Sequence, residues 1–167
     1  MDHVLLPVRR IVSGGQTGAD RGGLNAAIAL GMEQGGWCPR GRRAEDGPIP
    51  PQYDLQSTDV ADYTDRTRRN VLESDGTLIF YRDELSGGTR VTYRCAVRNG
   101  RPCHLVRSTA PLLPGSQRLQ FDSRCLPAVA TWLLENRVQI LNIAGPRESL
   151  QPGIAAATKH FLLQLFA

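Results

Sequence analysis

Residues 11–27 read IVSGGQTGADRGGLNAA. Two β-branched residues, Ile11 and Val12, lead into a run holding five glycines, and an apolar pattern resumes at Leu24. The order predicts a strand over residues 10–13, a bare turn, and a helix over 18–30 with Leu24, Ala27, Ile28 and Gly31 recurring at helical spacing. Such a turn leaves unshielded N–H groups at a helix N-terminus, where the partial positive charge suits an anion.

The alternation continues along the chain. Residues 35–38 predict a second strand, 63–74 a helix stopped by Asp75-Gly76, and TLIFY at 77–81 a strand buried on both faces. A helix over 89–99 closed by Gly100, a strand over 103–106, a helix over 123–135, a strand over 138–143 and a helix over 152–165 complete it. The expectation is an α/β protein, Rossmann-like and doubly wound, with a mainly parallel five-stranded sheet and helices on both faces. One domain spans 1–167, since a chain of this length with 41% apolar residues supports one core. STAPLLPGSQ at 108–117 reads as a connector. Residues 39–57, with RGRRAEDG inside them, are too rich in Pro and Gly for regular structure and are expected to form a lid.

Composition narrows the function classes. No stretch approaches the ~18 consecutive apolar residues of a membrane span, and MDHVLLPVRR is too short in apolar residues for a secretory signal, so a cytoplasmic protein with no membrane partner is expected. Cys38, Cys95, Cys103 and Cys125 occur singly with no CxxC spacing, which suggests neither a zinc site nor a disulfide framework, and no metal site is assigned. The net charge of +4 is carried almost wholly by arginine, Lys159 being the single lysine. The arginines are scattered and aromatics few, which argues against a nucleic-acid partner.

Three turns each follow a predicted strand and precede a predicted helix: SGGQTG at 13–18, SGGT at 86–89 and AGPRES at 144–149. In a parallel sheet all three lie at the carboxyl edge, where open α/β sheets bind ligands. The candidate ligand residues are Gly14, Gly15, Gln16, Thr17 and Gly18 in the first, Gly87, Gly88 and Thr89 in the second, and Gly145, Pro146, Arg147 and Ser149 in the third. Thr17, Thr89 and Ser149 offer hydroxyls to a phosphate and Arg147 a bidentate clamp; the hydroxyls equally suit helix caps. GGQTGAD lacks the Lys-Ser/Thr ending of a Walker A loop and is not GxGxxG. There is no GxSxG elbow, HExxH pair or credible triad, with His3 at the terminus, His104 on a strand and His160 on the last helix.

Four other features have two readings each. Asp20 in the first helical turn is either a dipole partner or a group that positions a ribose hydroxyl, a metal ion or an arginine. Arg66 and Asn70, four apart on one helical face, are either ordinary surface polarity or ligand contacts. Glu45 and Asp46 are expected to pair with the arginines of their own loop, the alternative being acid/base groups. Cys38 is a small buried hydrophobe or a soft-metal ligand.

SGGQTGADRGGLNAA, GWCPRGRRAEDGPIP, YTDRTRRNVLESDGTLIF, LSGGTRVTYRCA and LNIAGPRES together resemble the molybdenum-cofactor carrier family of the SLOG group of Rossmann-like nucleotide-binding domains. The resemblance runs from about residue 10 to residue 165. It implies a homo-oligomeric carrier, dimer or tetramer, for the molybdenum cofactor, a phosphate-bearing pterin, or for a nucleotide. It places ligand loops on Gly14, Gly15, Thr17 and Gly18 and on Gly87, Gly88 and Thr89. SLOG relatives that hydrolyse nucleoside monophosphates share a PGGxGTxxE motif with a catalytic glutamate, whereas this chain reads SGGTRVTYR with Arg94 near that place. A binding protein is therefore favoured over a small nucleotide-processing enzyme.

Overall fold

The computed structural model describes residues 4–108 and 118–167. His3 and nearly all of the expected connector at 108–117 lie outside them. The five-stranded sheet consists of β1 (Arg10–Val12), β2 (Glu33–Gly35), β7 (Gly76–Arg82), β8 (Cys103–Ser108) and β9 (Ile140–Ala144). Two small pairs lie apart from it: β3 (Trp37–Cys38) with β6 (Gln56–Ser57), and β4 (Arg43–Ala44) with β5 (Gly47–Pro48). The helices are α1 (Ala19–Leu30), α2 (Tyr63–Leu72), α3 (Gly87–Arg98), α4 (Leu126–Glu135) and α5 (Ile154–Leu165).

The main sheet runs β2-β1-β9-β7-β8 and every pairing in it is parallel. β9, late in the chain, is the central strand, with Arg10 opposite Ile140 on one side and Gly76 opposite Leu141 on the other. Asp75 fixes that register, its carboxylate accepting from the backbone N–H groups of Gln139 and Ile140. From the centre, β1 to β2 winds toward one edge and β7 to β8 toward the other, so the crossover helices fall on opposite faces. α1 and α4 pack against α5 on one face, and α2 packs against α3 on the other.

The unbroken apolar run of β7 is explained by this position, since Leu78, Ile79 and Phe80 are all fully buried. Phe80 meets Phe121 and Phe161 edge to face, with centroids 5.0 and 5.4 Å away. Two glycines inside α1, costly for a helix in isolation, are required by packing. A Cβ at Gly22 would stand 2.5 Å from the Ala155 carbonyl oxygen of α5, and one at Gly23 would stand 2.8 Å from Ile143 of β9.

The expected second strand at 35–38 is split. β2 ends at Gly35, Gly36 turns at φ +123° directly against the backbone of Ser13, and Trp37–Cys38 pairs with Gln56–Ser57 instead. Residues 39–57 are not irregular either. Arg43–Ala44 and Gly47–Pro48 form an antiparallel hairpin with Glu45 and Asp46 at its tip. Ile49, Tyr53 and Leu55 bury themselves with Cys38 against Leu24 of α1, forming a second small core. The expected helix at 123–135 begins as a 3-10 turn at Ser123–Cys125, with α4 proper starting where Pro127 falls in its first turn.

Candidate functional site

All three glycine-rich turns open on one cleft of about 360 Å³ at the carboxyl ends of β7 and β9, where the strand order reverses. The first turn contributes Gly14 and Gln16, with Asp20 beyond it; the second Gly87, Gly88 and Thr89; the third Gly145, Pro146 and Arg147. α2 supplies Tyr63, Arg66 and Asn70 to the facing wall.

The N-terminus of α3 is its most open anion-binding feature. Ser86, the residue before it, makes no side-chain cap, and no acid stands in the first turn, so the leading N–H groups keep their partial charge. Among the described residues, no heavy atom outside the adjoining backbone lies within 4 Å of the place where a Cβ on Gly87 or Gly88 would sit. Thr89 is 6% exposed, lines the cleft, and its hydroxyl has no hydrogen-bond partner among the described residues. Oxyanions are the ligand chemistry these donors suit.

Asp20 sits on the floor. Its side chain is 8% exposed, and Oδ2 accepts from Arg66 Nη1 at 3.0 Å and from the Gln16 backbone N–H at 3.2 Å. Burial pushes the carboxyl above its ordinary value, against the pull of the Arg66 guanidinium. Oδ1 accepts no hydrogen bond among the described residues. Arg66 itself lies across Gly14 so closely that a Cβ there would overlap Nη1, and its guanidinium stands 5.4 Å from the Tyr63 ring centroid. Gly14 is therefore bare to admit Arg66. Asn70 lines the cleft too, but its carboxamide is engaged with the backbone of Trp37, accepting from N at 2.8 Å and donating to O at 2.9 Å. It holds β3 in place.

Gly15, Thr17, Gly18 and Ser149 do not line the cleft. Gly15, at φ +75°, faces Leu55 and Ile49 of the docked loop. Gly18 gives the first turn its approach to the third, since a Cβ there would lie 2.3 Å from the Pro146 carbonyl oxygen. That oxygen also accepts from Ala19 N at 3.2 Å. Thr17 and Ser149 are occupied by Glu45: the Thr17 hydroxyl donates to its carboxylate, as do Ser149 N at 3.1 Å and Ser149 Oγ at 2.5 Å. The expected pairing of Glu45 and Asp46 with arginines of their own loop does not occur. Asp46 pairs with Arg21 of α1 through both oxygens, at 2.5 and 2.8 Å. Arg42 turns inward to four backbone carbonyls of its own loop. Hydrogen bonds from Ser149 and Thr17 hold the Glu45 carboxyl below its ordinary value, as Arg21 does for Asp46.

Sequence reasoning passed over Tyr81, Arg82 and Glu84, which bring an aromatic ring and both signs of charge to the cleft. They follow directly on a buried strand at the carboxyl edge, and that position was the available signal. Tyr63, one helical turn before Arg66, carried a similar one. Cys38 is fully buried, 3.7 Å from the Ser57 hydroxyl, away from the cleft. Among the described residues no three His, Cys, Asp or Glu side chains are grouped to hold a metal ion, and no helix is long and apolar enough to cross a membrane.

Residues 11–166 match the model of the circularly permutated YpsA SLOG family. The chain belongs to that family. A crystal structure of a protein from Syntrophus aciditrophicus SB named "Putative molybdenum carrier protein" is 39% identical, covers 96% of each chain and superposes with a TM-score of 0.85. No curated protein sequence matches. The family's permutation is visible in the sheet. In a doubly wound sheet of order 3-2-1-4-5 the central strand comes first, whereas in this SLOG protein the central strand is β9. The third glycine turn, Gly145 to Ser149, thus holds the place that the first strand-to-helix turn holds in an unpermuted fold.

Proposed function

We propose that this SLOG protein binds and carries a phosphate-bearing small molecule, the molybdenum cofactor or a nucleotide, in the cleft between the glycine-rich turns. The observation that carries the reading is the pairing of an uncapped α3 N-terminus with a Thr89 hydroxyl that has no hydrogen-bond partner among the described residues, on the same cleft wall. The ligand's phosphate binds at Gly87, Gly88 and Thr89, with Arg147 at the rim of the third turn. Its ring system lies against Tyr63 and Tyr81, and Asp20 Oδ1 accepts one donor from it. A molybdenum-bearing pterin would be cargo, recognised by its phosphate and ring. Such a carrier works in the cytoplasm as a homo-oligomer.

Native mass spectrometry of the purified protein reads both retained ligand and subunit number. Thermal shift with AMP against adenosine tests the phosphate: at ~100-fold saturation a bound ligand adds about 2.7 kcal/mol. Equal shifts from the two would overturn the reading.

Asp20 supports a second reading, a nucleotide-processing enzyme that hydrolyses a nucleoside monophosphate. A buried carboxyl with a raised pKa and one free oxygen on a cleft floor is suited to proton transfer. Steady release of free base from AMP, abolished in Asp20→Asn with binding intact, would establish it.

A further inference from the structure

The sequence assigns Thr17 and Ser149 to the ligand, yet their donors are in use. Three hydrogen bonds, from the Thr17 hydroxyl and from the backbone N–H and hydroxyl of Ser149, converge on one carboxylate, that of Glu45. Two of the glycine turns supply them, and Gln16 Oε1 steadies the visitor by accepting from Glu45 N at 2.9 Å. Arg147 adds attraction from the same turn. This is a donor set for an oxyanion, and the chain fills it with an oxyanion of its own.

We propose that the Thr17–Ser149 donor set is a second anion seat at the edge of the cleft, and that Glu45 is a resident competitor which a phosphate-type group of the ligand displaces. The inference rests on the reading of the cleft as a phosphate site. The neighbouring residues Gln16 and Arg147 do line that cleft, so a ligand anchored at Thr89 with a second anionic group has the seat beside it. Exchange conserves hydrogen bonds, because a phosphate oxygen accepts from the same three donors as a carboxylate oxygen. Glu45 is exposed at a hairpin tip, so releasing it opens no buried surface. The rest of the loop stays down: Asp46 holds Arg21, Arg42 holds four carbonyls, and Ile49, Tyr53 and Leu55 remain packed. Displacement is therefore confined to Glu45, and a ligand that reaches the seat announces itself by freeing the Glu45 amide from Gln16 at the tip.

The test is calorimetric titration of inorganic phosphate into wild type, Glu45→Gln and the double variant Glu45→Gln/Ser149→Ala, with amide exchange of residues 43–48 followed alongside. A competitor that occupies the seat about nine-tenths of the time leaves about one-tenth of the seats open, so removing its charge should tighten phosphate binding by about tenfold. Removing Ser149 as well should abolish the gain, and phosphate should speed exchange at the tip of wild type. Equal affinity of wild type and Glu45→Gln overturns the seat, as does a gain that survives in the double variant, which would be charge removal alone. The proposed function fails by a different result, equal binding of AMP and adenosine by wild type, and that result leaves the phosphate titration of the seat free to succeed.

Discussion

Replacing Arg42 with alanine should detach the loop at residues 39–57 without unfolding the protein. Arg42 donates to the carbonyls of Pro50, Tyr53 and Leu55 at 2.9, 3.0 and 3.1 Å, and to that of Ile49 at a weaker 3.4 Å. No carboxylate competes for it among the described residues, so the guanidinium acts as the hub on which the loop backbone is wound. A hydrogen bond to a charged group contributes roughly 1.5–3 kcal/mol, but partly buried carbonyls recover water when the loop opens, so the four do not add in full. Counting them as one such bond at its strongest, or two at their weakest, gives a loss of about 3 kcal/mol in loop docking. Each 1.4 kcal/mol is tenfold in an equilibrium, so amide exchange at Ile49, Tyr53 and Gln56 should accelerate roughly 100-fold. Amides of β7 and β9 should keep their protection, because the main core does not include this loop. Lysine at the same position should restore little, having a point charge in place of a fork. Less than a threefold change at Tyr53 and Gln56 would refute the reasoning and assign the docking to Ile49, Tyr53 and Leu55 alone.

Gly22→Val should drive a Cβ into the Ala155 carbonyl, 2.5 Å away, and separate α1 from α5; a loss of about 3 kcal/mol lowers Tm by roughly 6–12 °C in thermal denaturation. Phe161→Ala should remove the shared partner of Phe80 and Phe121 and lower stability by about 3–5 kcal/mol in urea titration, with the m-value unchanged. The Glu45 contact should depend on pH: its carboxyl is held below the ordinary value of 4.5, so its contribution is complete above that value and disappears as pH falls through the lower folded one. The amide shift of Ser149 in NMR, flat above pH 5 and moving below, reads this directly.

The fold was legible because its main elements each carry their own period or run. TLIFY and ILNIA are strands too apolar to sit anywhere but the centre of a covered sheet, and α1, α3 and α5 announce themselves by apolar spacing and by the glycines before them. The loop was not legible. Two-residue strands such as Trp37–Cys38 and Gln56–Ser57 have no period to read, and their pairing depends on a turn at Gly36 that a sequence shows only as one more glycine. The cleft followed from topology, which brings all strand-to-helix turns to one edge. Which residues in those turns face it did not follow. Gly14 and Gly15 are adjacent and alike in sequence, yet one admits Arg66 and the other meets Leu55, a difference set by a helix and a loop far away in the chain. Glu45 and Asp46 show the same limit: charge complementarity suggested partners next to them, and tertiary contact supplied Ser149 and Arg21.

The position of β9 has a consequence for how this protein is made. β1 and β7 have no common border until Ile140–Ala144 lies between them, and the face that carries Phe80 has no cover from Phe161 until α5 is present. A ribosome delivers those residues after all four of the other strands of the main sheet, at about 5–20 residues per second. Two half-sheets, β2 with β1 and β7 with β8, are therefore exposed to the cell with open inner edges while they wait for their keystone. Such edges are templates for pairing with another chain, so nascent copies of this protein have the greatest need of chaperones until β9 and α5 have emerged.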